Sequence, residues 1–243
     1  MTNELKKQIT EALKSQKEIF GDELFFQNTP KRQTTIVTKV ASGEDNSALL
    51  FNGDEAWERA ESLEELDKLI NKCTRCPLHK SRTNFVFGVG NPNADVMVVG
   101  EGPGADEDAQ GEPFVGRAGK LLNEILKAIN FEREEVYIAN VVKSRPPGNR
   151  TPTAEEMEAC VPYLRKQIEL IKPKLILCLG LTAAQGLLKK RDSLTKMRGQ
   201  LFEYRGTKVM VTYHPAALLR NPNWKRPCWE DVQKFRKLYD EMM

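Results

Sequence analysis

The chain has 243 residues, 40% hydrophobic and 29% charged, enough to bury one substantial core. Its opening residues, MTNELKKQIT, are polar, and no apolar run reaches the length of a bilayer span, so a membrane protein is excluded and a soluble, intracellular (cytoplasmic) protein is expected. The net charge of +3 conceals an asymmetry, nine Lys or Arg against fourteen Asp or Glu up to residue 70 and twenty-eight against twenty beyond it; surplus lysine also serves solubility, but a basic body suits a polyanion such as nucleic acid.

Residues 3–19 have the spacing of a short amphipathic helix, and 28–52 are polar without periodicity. An N-terminal extension over 1–60, a short helix and a flexible, disordered linker, is therefore expected ahead of a folded domain over 61–243. Ser62 with Glu65 forms a capping box that opens a helix running into Cys73. From there strand-like apolar runs at 95–100, 136–142, 175–180 and 209–213 alternate with helical patterns at 117–130, 153–171 and 181–190. A last helix spans 229–243, and Thr153 with Glu156 makes a second capping box. The alternation predicts an α/β fold, a single three-layer α/β/α domain around a central, mostly parallel four-stranded sheet.

The first strand runs into VMVVGEGPGADEDAQGEPFVG, a glycine-rich, acid-loaded loop at the carboxyl end of a buried strand, where open α/β sheets bind ligands. Gly100, Gly102 and Gly104 alternate there, but a dinucleotide fingerprint needs a wider third spacing and an immediate helix. Pro103 and the run Asp106, Glu107, Asp108 intervene, and clustered carboxylates repel a pyrophosphate. Glu101 follows the first strand, Asn140 lies late in the second and His214 follows the fourth, so all three should meet along one sheet edge. His214 opens HPAALLRNP, in which Leu218 and Leu219 stand beside Arg220, with Lys225 and Arg226 further on. These read either as an apolar wedge flanked by phosphate contacts or as an ordinary packing pair.

Five cysteines in an intracellular chain do not suggest a disulfide framework. Cys73 and Cys76 form a C-x-x-C pair before Pro77, and Cys160 follows far downstream, a layout that suits a metal or cluster site closing a long loop. The rival, a redox dithiol, lacks a preceding strand, and spacing leaves zinc and iron-sulfur both open.

The acidic loop ending in PFVG, then YIANVVK, RPPGNR and HPAALLRNP, in that order, resemble the iron-sulfur branch of the uracil-DNA glycosylases, family 4, over about residues 69–241. The resemblance implies a monomeric, monofunctional DNA-repair glycosylase acting on uracil-containing DNA, single- or double-stranded. Such an enzyme rotates the deoxyuridine into a pocket because its glycosidic bond is unreachable while the base is stacked. By the same resemblance Phe114 stacks on the base, Gly102 lines the pocket, and Asn140 reads the base edge. A carboxamide suits that task, donating to uracil O4 and accepting from N3–H, an order that cytosine reverses. His214 matches the donor to O2, and Glu101 is the candidate for steadying the positive sugar and positioning water. Glu107, with Asp108, is expected to shape the pocket near C5. Arg145, Arg150 and Arg220 are expected at phosphates, with Leu218 and Leu219 as the wedge.

The resemblance also implies a [4Fe-4S] cluster on Cys73, Cys76, Cys160 and a fourth cysteine in a Lys-Cys-Arg-Pro-Pro segment. Here that segment reads Lys143, Ser144, Arg145, Pro146, Pro147. Serine is a harder ligand than thiolate, so a labile or incomplete cluster is expected, three-iron or solvent-ligated at that corner. Cys178 reads as a packing residue inside a strand, and Cys228 and His79 as outlying substitutes. The alternative, a DNA-binding module of the same fold without catalysis, has no need of Glu101, Phe114, Asn140 and His214 together. A metal-dependent hydrolase would need paired histidines that the chain lacks.

Overall fold

The computed structural model describes residues 55–243; the helix expected over 3–19 and the linker over 28–52 lie outside them. In chain order the elements are α1 (Leu63–Ile70), β1 (Val89–Gly90), β2 (Val96–Gly100), α2 (Ala105–Gln110), α3 (Arg117–Ala128), β3 (Tyr137–Asn140) and α4 (Ala154–Ile171). They continue with β4 (Leu175–Leu179), α5 (Leu181–Leu188), α6 (Leu194–Met197), β5 (Leu201–Tyr204), β6 (Thr207–Thr212), α7 (Pro215–Arg220) and α8 (Lys225–Met242).

The strands form one sheet in the order β1-β3-β2-β4-β6-β5. β3, β2, β4 and β6 run parallel, in agreement with the four expected strands, and β1 and β5 add antiparallel edges. The sheet therefore has six strands rather than four. Both additions are weak signals in sequence: β1 is two residues long. β5 joins β6 through Arg205 and Gly206, with φ of 49° and 87°, a two-residue hairpin turn of the primed type with arginine where asparagine or aspartate is the usual cue.

Continuous apolar runs become central strands because both faces are covered. Every residue of β2 and β4 is buried. Their side chains alternate between two cores: Met97, Val99, Ile176 and Cys178 face a layer built from α1, α4 and α5. Val96, Val98, Leu175 and Leu177 face α3, α7 and α8. The three-layer arrangement follows from that alternation. The first core reaches back to Trp57, which is 8% exposed and meets Tyr163 edge to face at 4.9 Å. Thr153 and Glu156 make the expected capping box, each side chain accepting from the other's amide. Ser62 Oγ accepts from the Glu65 amide, but Glu65 reaches back to the Glu61 amide instead of that of Ser62, so the first box is only half formed. No described helix is long and apolar enough to cross a membrane.

Candidate active site

Three strand ends deliver the polar groups. Glu101 follows β2, Asn140 closes β3 and His214 lies two residues past β6. β4 stands between β2 and β6 and is followed by Gly180, whose φ of +89° and missing side chain leave room beside it: an added Cβ would stand 3.2 Å from Cβ of His214. Glu101, Asn140 and His214 line one cleft of about 360 Å³ together with Gly102, Phe114 and Arg220, within the size range of small-ligand pockets.

Asn140 is 2% exposed, and its Oδ1 has no hydrogen-bond partner among the described residues. A buried acceptor left in that condition costs about 1–3 kcal/mol. Gly100 makes space in front of it: an added Cβ would stand 2.4 Å from Asn140 Oδ1 and 2.6 Å from the Phe114 ring. The amide and the ring thus close over a glycine that no other residue could replace without moving both.

Phe114 is held at φ 56°, an uncommon conformation for a residue with a Cβ. Arg133 clamps it, donating to the Pro113 carbonyl at 2.7 Å, the Phe114 carbonyl at 3.3 Å and Asn123 Oδ1 at 3.0 Å. Gly119 on α3 admits the Phe114 carbonyl, which would stand 1.9 Å from an added Cβ. The ring then stacks on His214, centroids 5.5 Å apart at 30°.

His214 caps α7: its Nδ1 accepts from the Ala216 amide at 3.2 Å. With Nδ1 serving as acceptor, the proton of the neutral ring is on Nε2. Burial first, and then the Arg220 guanidinium, push its pKa down to about 4. The side chain is a neutral N–H donor at physiological pH.

The other expected site residues divide. Glu107 lines the cleft, but its carboxylate accepts from the Gly104, Val115 and Gly116 amides at 3.1, 3.0 and 2.9 Å. It ties both ends of the acidic loop together, which fixes pocket shape without leaving an oxygen for a ligand at those bonds. Asp108 is buried beneath, accepting from the Thr83 and Asn84 amides, and does not line the cleft. Arg220 is exposed at the rim. Arg150 also lines the cleft, paired through two hydrogen bonds with Glu156 at 2.6 and 2.8 Å. Arg145 stands outside it and donates to Asn149 Oδ1 at 2.7 Å. The two-leucine wedge requires a correction: Leu218 is 0% exposed and belongs to the core with α3 and α8, whereas Leu219 is 41% exposed. On a helical turn adjacent residues face different ways, so one leucine packs and the other projects.

The sequence profile of the uracil DNA glycosylase superfamily matches residues 87–233, a span that contains every cleft residue just described. The chain belongs to that superfamily. Its curated relatives include the type-4 uracil-DNA glycosylases of Archaeoglobus fulgidus, 46% identical over 73% of this chain and 94% of the relative, and of Thermotoga maritima, 49% identical over 74% and 96%. A third, from Pyrobaculum aerophilum, is 46% identical over 71% and 92%.

Away from the cleft of this uracil-DNA glycosylase fold, the cysteines expected to hold a cluster lie together. Cys160 is buried in the α1–α4–α5 core, against which Cys73 and Cys76 pack. Backbone N–H groups point at two of the sulfurs, Lys143 at Cys160 (3.2 Å) and Arg75 at Cys73 (3.4 Å), and Tyr163 Oη is 3.2 Å from Cys73 Sγ. Burial pushes the Cys160 thiol up to about 12 and raises Cys76 as well, so these thiols stay protonated until a cation replaces the proton. Among the described residues no three His, Cys, Asp or Glu side chains are close enough to hold a single metal ion. Thiols with backbone N–H groups aimed at their sulfurs are donors of the kind that metal and iron-sulfur sites use. Ser144 Oγ, where the resemblance leads one to expect a fourth cysteine, accepts from Arg82 at 3.1 Å. Cys178 and Cys228 are buried in the two cores.

Three functional features escape sequence reasoning. Arg133 lies in a charged turn that reads as a solvated surface, the role of Gly100 depends on two side chains remote in sequence, and the tautomer of His214 is set by a backbone amide. The His-Pro pair does carry a signal for the last, since proline at the first helical position places histidine at the cap.

Proposed function

We propose that this chain hydrolyses the N-glycosidic bond of deoxyuridine in DNA, releasing uracil and leaving an abasic site for repair. The observation that carries the reading is Asn140, which lines a cleft walled by Phe114, Glu101 and His214 and whose buried Oδ1 accepts from no group among the described residues. Uracil N3–H is the donor that such an acceptor lacks, and the same carboxamide's NH₂ then meets O4. Cytosine offers an acceptor and a donor in the opposite order, leaving two buried groups unpaired at about 1–3 kcal/mol each.

In this reading the extruded base stacks on Phe114. As the C1′–N1 bond breaks, its electron pair leaves with uracil and positive charge develops on the sugar. His214 Nε2–H donates to O2 as negative charge grows there, and it stays on nitrogen throughout. Glu101 faces the sugar cation and orients the water that adds to C1′, and the proton this water sheds ends on the departed uracil anion, giving neutral uracil and a C1′ hydroxyl. Arg220 stands at the rim for a phosphate, with Leu219 to fill the gap left in the stack.

The cysteine site is assigned in the same proposal to an iron-sulfur cluster held by Cys73, Cys76 and Cys160, with Ser144 or an external ligand at the fourth corner. Bound there, the cluster supplies a cross-link that anchors the 144–160 loop, and hydrolysis needs no electron from it. An oligonucleotide carrying one deoxyuridine, incubated with the protein and then alkali, should be cut at that nucleotide. Intact product would refute the enzyme reading.

A further inference from the structure

The ring of Tyr213, immediately before His214, is covered by Trp224 in a parallel stack, centroids 5.1 Å apart and planes at 15°. Tyr213 is itself pinned: the Arg198 guanidinium lies 5.5 Å from its ring centre and is held by two hydrogen bonds to Asp231 at 2.9 and 3.0 Å. Asp231 is 1% exposed and also accepts from Thr212 at 2.9 Å. An ordered column therefore rises from the core through Arg198 and Tyr213 and ends at Trp224. Trp224 keeps 39% of its surface in solvent although Tyr213 takes one side of it. The turn that carries it, Pro222–Trp224, follows directly on α7, whose Arg220 lines the cleft. Exposed Leu219 and the cations Arg220, Lys225 and Arg226 flank it in sequence.

A large aromatic face left in water, on a rigid support and among cations beside a DNA site, has the composition of a base-stacking platform. We propose that Trp224 stacks on an unpaired nucleobase of the DNA strand next to the extruded nucleotide, adding a rung to the Tyr213 column and favouring single-stranded over fully paired DNA. The idea rests on the glycosylase reading for the nature of the ligand, but not on any catalytic step. The chemistry that selects the ligand is a flat π-face with a phosphate on either side, which duplex DNA does not present because its bases are already stacked.

The test uses single-stranded DNA without uracil, so that it is separate from base excision. The chain has three tryptophans, and the other two, Trp57 and Trp229, are 8% and 6% exposed. Quenching of tryptophan emission on titration with an uracil-free oligonucleotide therefore reports Trp224. The wild type should be quenched by the single strand and much less by the paired duplex. Trp224→Ala should lose the quench and bind the single strand about tenfold more weakly, the weight of one stacking contact, whereas Trp224→Phe should stay within about threefold. Unquenched wild-type emission overturns the proposal. So does a Trp224→Ala protein of unchanged affinity, or an affinity loss equal for single strand and duplex, which would mark a backbone contact. If wild type fails to release uracil yet shows the quench, the enzyme reading falls and the platform stands.

Discussion

His214 is a donor that never has to titrate. Its folded pKa near 4 lies below the ordinary value of about 6.5, so between pH 5 and 8 its protonation is constant in the fold. We expect kcat/KM for uracil release to show no acid limb near pH 6.5, and a limb there that vanishes in His214→Asn would contradict a neutral donor. Stability should respond in the opposite way. From pH 6.5 down to 4 only the unfolded chain gains the proton, so stability is unaffected above pH 6.5 and falls as pH drops through that window, by about 3 kcal/mol in all. Urea midpoints across pH, with His214→Asn as the reference, measure it. Asn140 gives the complementary prediction: Asn140→Asp should lower uracil release by about 100-fold and narrow the preference over cytosine, as competition between the two substrates would reveal. These residues were legible as types at strand ends, because a polar side chain that interrupts an apolar run stands out. Leu218 was not, since only packing distinguishes a leucine that projects from its neighbour that is buried.

At the scale of elements, the acidic loop is a clamp around Phe114. Glu107 ties Gly104 to Val115 and Gly116, and Arg133 holds the Pro113 and Phe114 carbonyls from outside. Removing the fork in Arg133→Ala should raise KM and lower kcat/KM about tenfold through a misplaced Phe114, with Arg133→Lys restoring little, because an ammonium cannot hold three acceptors in one plane. Sequence offers Glu107 and Asp108 as pocket-shaping acids but does not show how: the amides that satisfy Glu107 come from residues three, eight and nine positions away and those that satisfy Asp108 from 25 and 24 positions back. The cysteine site makes the second prediction at this scale. Ser144→Cys, which replaces a hydroxyl tied to Arg82 with a fourth thiol, should retain iron against a chelator at least tenfold longer than wild type. Iron and sulfide absent from both proteins after anaerobic purification would remove the cluster from the account.

Across the whole molecule, parallel strands were legible because burial on both faces makes them continuous apolar runs, whereas the two edge strands escaped notice: β1 is too short and β5 depends on an Arg-Gly turn. The charge asymmetry belongs to this scale as well. With a basic body beyond residue 70, affinity for uracil-free DNA should drop at least tenfold between 50 and 200 mM salt, measured by anisotropy, and a flat salt response would leave the surplus lysine as solubility alone. Asn140 closes β3, an interior strand that pairs in parallel with β2 and is flanked by the two-residue edge strand β1, and core strands open at free energies close to that of global unfolding. The choice of base is consequently made from the sheet and not from a loop. Warming should erode turnover through the loops first, while the error rate stays constant until the chain melts as a unit.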